Sequence, residues 1–245
     1  MAYTTIDDPS EYFTTTLYTG NGSDDRSITN SANAGNFKPD WLWVKQRNTT
    51  RHHILNDSNR GATKNLNTSL TNAESTGADG IQAFETNGFQ LGTDTDVNQN
   101  SGTYVAWQWK ANGGTTTSFG ESGDNPGGDR QANTTAGFSI IDYVGTGAAG
   151  TIAHGLGKVP EMIIFKDRSA DGDDWFVYHQ GTGNDGGVRL NTNAADGNDS
   201  NRFNNTSPTT SVFTVGASGG TNDDGNATIA YCFAPIQGYS KLPII

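Results

Sequence analysis

The chain has 245 residues, with 15 Lys and Arg against 26 Asp and Glu, for a formal net charge of −11. That balance repels a polyanion, and no Lys/Arg cluster offsets it locally, so nucleic acid is excluded as a direct partner. One cysteine, Cys232, leaves no partner for an intramolecular disulfide and too few thiolates for a multi-cysteine zinc site.

No apolar stretch approaches the roughly 18 residues of a membrane helix. Met1-Ala2-Tyr3-Thr4-Thr5 has neither the basic nor the apolar region of a secretory signal. The expectation is a soluble protein made in the cytoplasm. Only 32% of residues are hydrophobic, yet five Trp, eight Tyr and eleven Phe fall in short dense runs between Gly/Asn/Thr/Ser/Asp stretches. A few large aromatics can fill a core, so the chain reads as a folded all-β protein with long polar loops.

Taken in order, residues 1–17 read as an extended N-terminal arm containing Pro9, with Tyr3, Ile6, Tyr12 and Phe13 spaced along it. Such an arm can add a strand to its own domain. It can also dock on a neighbouring subunit by strand addition, and the four residues are the candidates for that contact. Next comes Tyr18-Thr19-Gly20-Asn21-Gly22, which is matched later by Tyr143-Val144-Gly145-Thr146-Gly147.

A duplication then becomes plain. Pro39, Asp40, four apolar residues, Lys45 and Arg47 line up with Pro160, Glu161, four apolar residues, Lys166 and Arg168. Phe89-Gln90-Leu91-Gly92 pairs with Phe213-Thr214-Val215-Gly216, and residues 105–109 pair with 229–233. The order is kept at a nearly constant offset. Chance likeness among apolar strands does not also preserve the Pro, the Lys and the Arg.

These blocks predict strands, being short β-branched and aromatic runs bounded by Gly, Pro and Asn. Leu42 and Val44 fall on one side of their strand and Trp41 and Trp43 on the other, which predicts a central strand covered on both faces. Val105, Trp107 and Trp109 share a bulky face, as do Ile229, Tyr231 and Phe233. That bulky side is the expected core, with Ala106, Ala230 and Cys232 opposite. Residues 112–135, rich in Gly, Thr and Asn, read as a flexible linker. The plan is two tandem, related β-sandwich repeats of jelly-roll-like character, at 18–111 and 136–245.

Candidate chemistry is sparse. His52-His53 and His179 fall short of the three or four ligands a metal site needs and read as loop or strand-edge residues. His154 reads as bonding a Gly-rich turn through its ring nitrogens. Cys232 lacks the electropositive setting of a nucleophile. Asp57, Glu74, Asp79, Glu85, Asp171, Asp173, Asp174, Asp223 and Asp224 offer many carboxylates, but none in a recognisable catalytic pair. The loops Asp171-Gly172-Asp173-Asp174 and Asn222-Asp223-Asp224-Gly225 carry oxygen ligands of the kind calcium takes, without EF-hand spacing, and read as solvated turns. Trp175 and Tyr178 read as strand residues rather than a sugar platform. The expectation is no catalytic residues, no metal and no cofactor.

Several segments together are similar to structural proteins of tailed bacteriophages, marine phages especially. They are residues 2–9 and 18–22, residues 37–45, Arg60-Gly61-Ala62-Thr63-Lys64, residues 104–110, His154-Gly155-Leu156-Gly157-Lys158-Val159-Pro160 and residues 231–241. The resemblance covers nearly the whole chain. It implies a non-enzymatic virion protein displayed on the particle surface, as a capsid decoration or a tail or fibre accessory. The partners it implies are other virion proteins and further copies of the chain. The alternative it implies is a tail-fibre module binding a host surface glycan.

Overall fold

The computed structural model describes residues 4–30, 37–194 and 197–243; Tyr3 lies outside them. Strand accounts for 41% of the structure and helix for 3%, and every ladder is antiparallel, so the fold is all-β. The chain divides into an N-terminal unit (Asp7–Leu70 and Glu74–Gly114) and a C-terminal unit (Met1–Ile6, Thr71–Ala73 and Thr115–Ile245).

The N-terminal unit contains strands β1 (Phe13–Thr19), β2 (Arg26–Thr29), β3 (Trp41–Gln46), β4 (His53–Asp57), β5 (Lys64–Asn67), β6 (Ser75–Thr76), β7 (Ile81–Glu85), β8 (Gly88–Leu91) and β9 (Thr103–Trp109). One helical turn, α1 (Thr95–Asn98), precedes β9. A six-stranded sheet runs β1-β9-β3-β4-β5-β6, and a three-stranded sheet runs β2-β8-β7. Leu42, Val44, Ile54, Tyr104 and Ala106 from the first sheet form one buried cluster with Ile28, Ile81, Phe89 and Leu91 from the second. The two sheets therefore face each other as a sandwich.

The C-terminal unit contains β10 (Thr117–Phe119), β11 (Gly128–Asn133), β12 (Phe138–Val144), β13 (Gly150–Ala153), β14 (Met162–Asp167), β15 (Phe176–His179), β16 (Gly183–Arg189), β17 (Val212–Val215) and β18 (Ala227–Phe233). Its large sheet runs β10-β11-β12-β18-β14-β15-β16, and β13 pairs with β17. The order β1-β9-β3-β4-β5 thus recurs as β12-β18-β14-β15-β16, and the pair β2-β8 recurs as β13-β17. Each turn of the chain at a matched sequence block enters the matched strand.

Three features differ from the sequence reading. First, residues 112–135 are not simply a linker, because they supply β10 and β11, and β11 pairs with β12 over six residues. Gly123, with φ of 60°, sits in the tight turn closed by Ser122 and Asn125 between β10 and β11. Second, the arm does not end at residue 17. Phe13 and the threonines after it form β1, in unbroken register with β9 from Phe13↔Trp109 to Thr19↔Thr103, as expected of a β-branched and aromatic run. Ile6 is buried in the chain's own structure. Tyr12 lies 5.8 Å from the Lys110 ammonium, and the Phe13 ring lies 4.5 Å from that of Trp109.

The third difference concerns which side of β9 and β18 meets the second sheet. It is the thin side. Ala106 packs with Phe89, while Ala230, Cys232 and Ala234 pack with Phe213 and Val215. Small residues on the large sheet leave the volume that phenylalanines of the facing sheet occupy, in keeping with close-packed interiors. Cys232 accordingly lies in the sandwich core and not opposite it. The bulky residues form a ladder on the other face, where Trp109 meets both Phe13 and Trp41 at 4.5 Å and Trp43 meets Trp107 at 5.6 Å.

Candidate functional site

The matched motifs hold polar groups in matched roles. In the N-terminal unit the Tyr18 hydroxyl donates to the Val97 carbonyl at 2.8 Å. The chain then turns at Gly20 and Gly22 around the buried Asn98 side chain. Asn98 Nδ2 donates to the Ser23 and Gly92 carbonyls, both at 2.8 Å, and Oδ1 accepts from Asn21 N at 3.0 Å. In the C-terminal unit the Tyr143 hydroxyl donates to the Thr221 carbonyl. Asn222 Nδ2 donates to Ala148 O at 2.6 Å and Gly216 O at 2.8 Å, and Oδ1 accepts from Thr146 N at 3.0 Å. Gly22 and Gly147 have φ of 70° and 68°, the left-handed region where glycine carries no Cβ penalty. A Cβ at Gly20 or Gly145 would meet the carbonyl oxygen of Gln99 or Asp223.

The repeated Lys has a matched task as well. Lys45 Nζ donates to the carbonyls of Gln46, Thr49 and Arg51 at 2.7–2.9 Å. Lys166, fully buried, donates to the Asp173 carbonyl at 2.9 Å and the Thr71 carbonyl at 3.3 Å. Both ammonium groups pin the loop that follows their strand. Burial pushes the Lys166 ammonium below the usual lysine range, and Asp173, Asp167, Asp171 and Asp174 oppose that shift.

The two acidic loops converge in the C-terminal unit. Asp167, at the end of β14, Asp173 and Asp223 each place a carboxylate oxygen so that all three lie within 4.8 Å of one another. Asp167 Oδ1 accepts from the Ser169 and Ala170 amides at 2.7 and 3.2 Å, and its Oδ2 accepts from Asn226 Nδ2 at 2.8 Å. Asp223 accepts from Gly220 N at 3.3 Å. Burial and then the neighbouring Asp167 raise the Asp173 carboxyl above its ordinary range, while Lys166 partly offsets this. An all-oxygen set of this kind suits a hard divalent cation. In the chain itself the Asp167 and Asp223 carboxylates accept from the amides of nearby turns. Asp167 was not among the sequence candidates, because it lies inside the strand block and not in either acidic loop.

The remaining candidates do not gather. His154 is fully buried, its Nδ1 accepting from Leu156 N at 3.2 Å and its Nε2 lying 3.1 Å from the Thr209 carbonyl. Those partners assign the neutral tautomer protonated at Nε2, and burial lowers the ring's proton affinity. His179 Nδ1 accepts from Gly181 N at 3.1 Å. His52 lies 3.3 Å from Ser69 Oγ, and His53 is tilted against Trp43 with ring centres 6.0 Å apart.

Asp57 and Glu74 both bind the buried Arg60, at 2.6 and 3.1 Å. Asp174 binds Arg189 at 2.7 Å, Asp171 accepts from Ala73 N, and Glu85 accepts from Ser27 Oγ. Trp175 is fully buried just before β15. An open groove of about 610 Å³ lies in the C-terminal unit, lined by Glu161, Gln180, Pro235, Lys241, Leu242 and Pro243. Gln180 Nε2 donates to the Leu242 carbonyl at 2.8 Å across it.

The fold and these interactions define a duplicated antiparallel sandwich whose polar groups are built into its loops. The chain belongs to the family described as a domain of unknown function, DUF7483, which matches residues 8–243 and so spans both units. No curated protein and no solved structure matches the sequence.

Proposed function

We propose that the protein is a non-enzymatic structural component of a tailed-phage particle, displayed on the capsid or as a tail or fibre accessory and held by protein–protein contacts. The observation that carries this reading is the use made of its polar side chains. His154, His179, Asp57, Asp167, Lys45 and Lys166 all bond backbone groups of their own loops. Groups so engaged fix loop shape, and a general acid or base instead needs an open geometry toward a substrate. Each unit is a sandwich of the same topology, a scaffold from which polar loops can present contact surfaces.

Immunogold labelling of particles purified from a producing lysate tests it. Gold on heads or tails is the expected result, and recovery of the chain only in the unassembled soluble fraction overturns it.

The groove beside Gln180 favours a second reading, that of a glycan-binding module. A carboxylate, an amide and an ammonium line it, and such groups pair with sugar hydroxyls. Saturable, host-specific binding to cells that is lost in Glu161→Ala supports that reading, and binding that survives the substitution removes the groove from it.

A further inference from the structure

We infer that the outer edge of β1 is a docking edge for a second copy of this chain, joined by antiparallel strand addition. At the two ends of β1, Lys110 N donates to Tyr12 O and Gly20 N donates to Gly102 O. Bonded pairs alternate along an antiparallel ladder, so residues 14, 16 and 18 exchange hydrogen bonds with β9. The N–H and C=O groups of Phe13, Thr15, Leu17 and Thr19 therefore point away from the sheet. Among the described residues no strand takes them.

The C-terminal unit shows what such an edge accepts. There Gly145 N bonds Asn226 O, and Val144 N bonds Gly127 O, so Phe138, Ile140, Asp142 and Val144 face outward from β18. These are the counterparts of Phe13, Thr15, Leu17 and Thr19, and β11 pairs with them antiparallel.

Exposed edges are ordinarily kept short, charged, bulged or interrupted by proline. The other ends of the two large sheets follow that rule. β6 has two residues and β10 three, while β16 carries Asp185 and Arg189 and pairs in broken register with β15. β1 does none of this. It has seven residues, no charge, no proline and no register shift, and Leu17 is 61% exposed, more than any other large hydrophobic among the described residues.

The occupant follows from the strand's own sequence. A two-fold axis at Thr16 sets Phe13 against Thr19 and Thr15 against Leu17 of the second copy, all as bonded pairs using the outward groups. No like charges oppose each other, and each Leu17 gains a neighbour on the same face. Thr16 then meets Thr16 of the second copy as a non-bonded pair with Cα atoms about 4.5 Å apart. A contact of this kind holds in or out of a particle, so it stands apart from the virion reading.

Sedimentation of the full chain over a concentration series tests it, together with two variants. Leu17→Lys, at an exposed position, is expected to weaken self-association about tenfold or more by setting like charges on diagonal neighbours across the joint. Thr16→Cys is expected to form an intermolecular disulfide on oxidation, whereas Thr14→Cys, whose partner is Tyr18, does not. A chain that stays monomeric up to millimolar concentration overturns the inference. So does a dimer indifferent to Leu17→Lys that gives no Thr16→Cys cross-link.

Discussion

Asn98 and Asn222 occupy the same place in the two units, each fully buried and each tying three backbone groups with one side-chain amide. In both, the donors reach the loop after the first strand and the glycine that closes the strand β8 or β17. The pin holds the end of the sandwich where the Tyr-x-Gly-x-Gly segment turns.

Replacing Asn222 by Ala strands the buried Gly216 carbonyl together with the part-buried Ala148 carbonyl and Thr146 amide. Each unsatisfied buried group costs about 1–3 kcal/mol, so the loss in unfolding free energy is expected to be about 2–5 kcal/mol once some relaxation is allowed. Denaturant unfolding measures it, and an unchanged midpoint would show that the amide does not hold the turn. Asn98→Ala is expected to act the same way on the N-terminal unit.

Asp40 gives a pH signature. Its carboxylate is buried and accepts from Ser58 Oγ, Ala111 N and Gly113 N at 2.7–2.8 Å. Burial raises it above the ordinary value, and those hydrogen bonds oppose the shift. A raised carboxyl binds its proton more tightly in the folded state. Its stabilising contribution is therefore full below the unfolded value near 3.8 and is lost as pH rises through the folded value. Asp40→Asn keeps an acceptor for the two amides and gives Ser58 Oγ a donor. The variant is expected to lack that fall in stability, as pH-dependent unfolding would record; parallel curves for both proteins would contradict it.

His154 carries the opposite sign. Its ring is held neutral and its proton affinity is lowered from 6.5, so the unfolded chain binds the proton first. The contribution is present above about 6.5 and is lost as pH falls through the lowered folded value. The wild type is expected to lose stability over that window relative to His154→Gln. Equal acid slopes would show that the ring is not held neutral.

Cys232 offers a simple probe of the core. Burial pushes its thiol well above the usual range, and the side chain is fully buried between the two sheets of its unit. Ellman's reagent is expected to leave it unmodified in the native protein and to titrate one thiol per chain in denaturant. Rapid native labelling would place the thiol outside the sandwich.

Much of this architecture was legible in the sequence because a duplicated chain reports each strand twice. Pro39 and Pro160, Lys45 and Lys166, and the aromatic final strands marked the same ladder positions in both copies. The side of β9 and β18 that meets the second sheet is not legible in the sequence, since residue size shows a bulky face but not which face the other layer covers. Phe89 and Phe213 fill the space above Ala106 and Ala230, a complementarity visible only between strands distant in sequence.

Strands β10 and β11 were hidden in a Gly/Asn-rich segment whose pairing depends on β12 rather than on its own propensity. Asn98 and Asn222 were present as a matched pair at the same offset as the flanking blocks. Sequence alone does not single them out, because polar residues near turns ordinarily face water. The carboxylates of Asp167, Asp173 and Asp223 meet only through the return of β18 beside β14.

The central proposal is that a doubled sandwich serves as a building part of a particle. A reconstruction of intact particles from a producing lysate tests this most directly. The account predicts density on head or tail that fits paired sheets ordered as β1-β9-β3-β4-β5 and β12-β18-β14-β15-β16. Particles complete to high resolution with no density for this chain would contradict it.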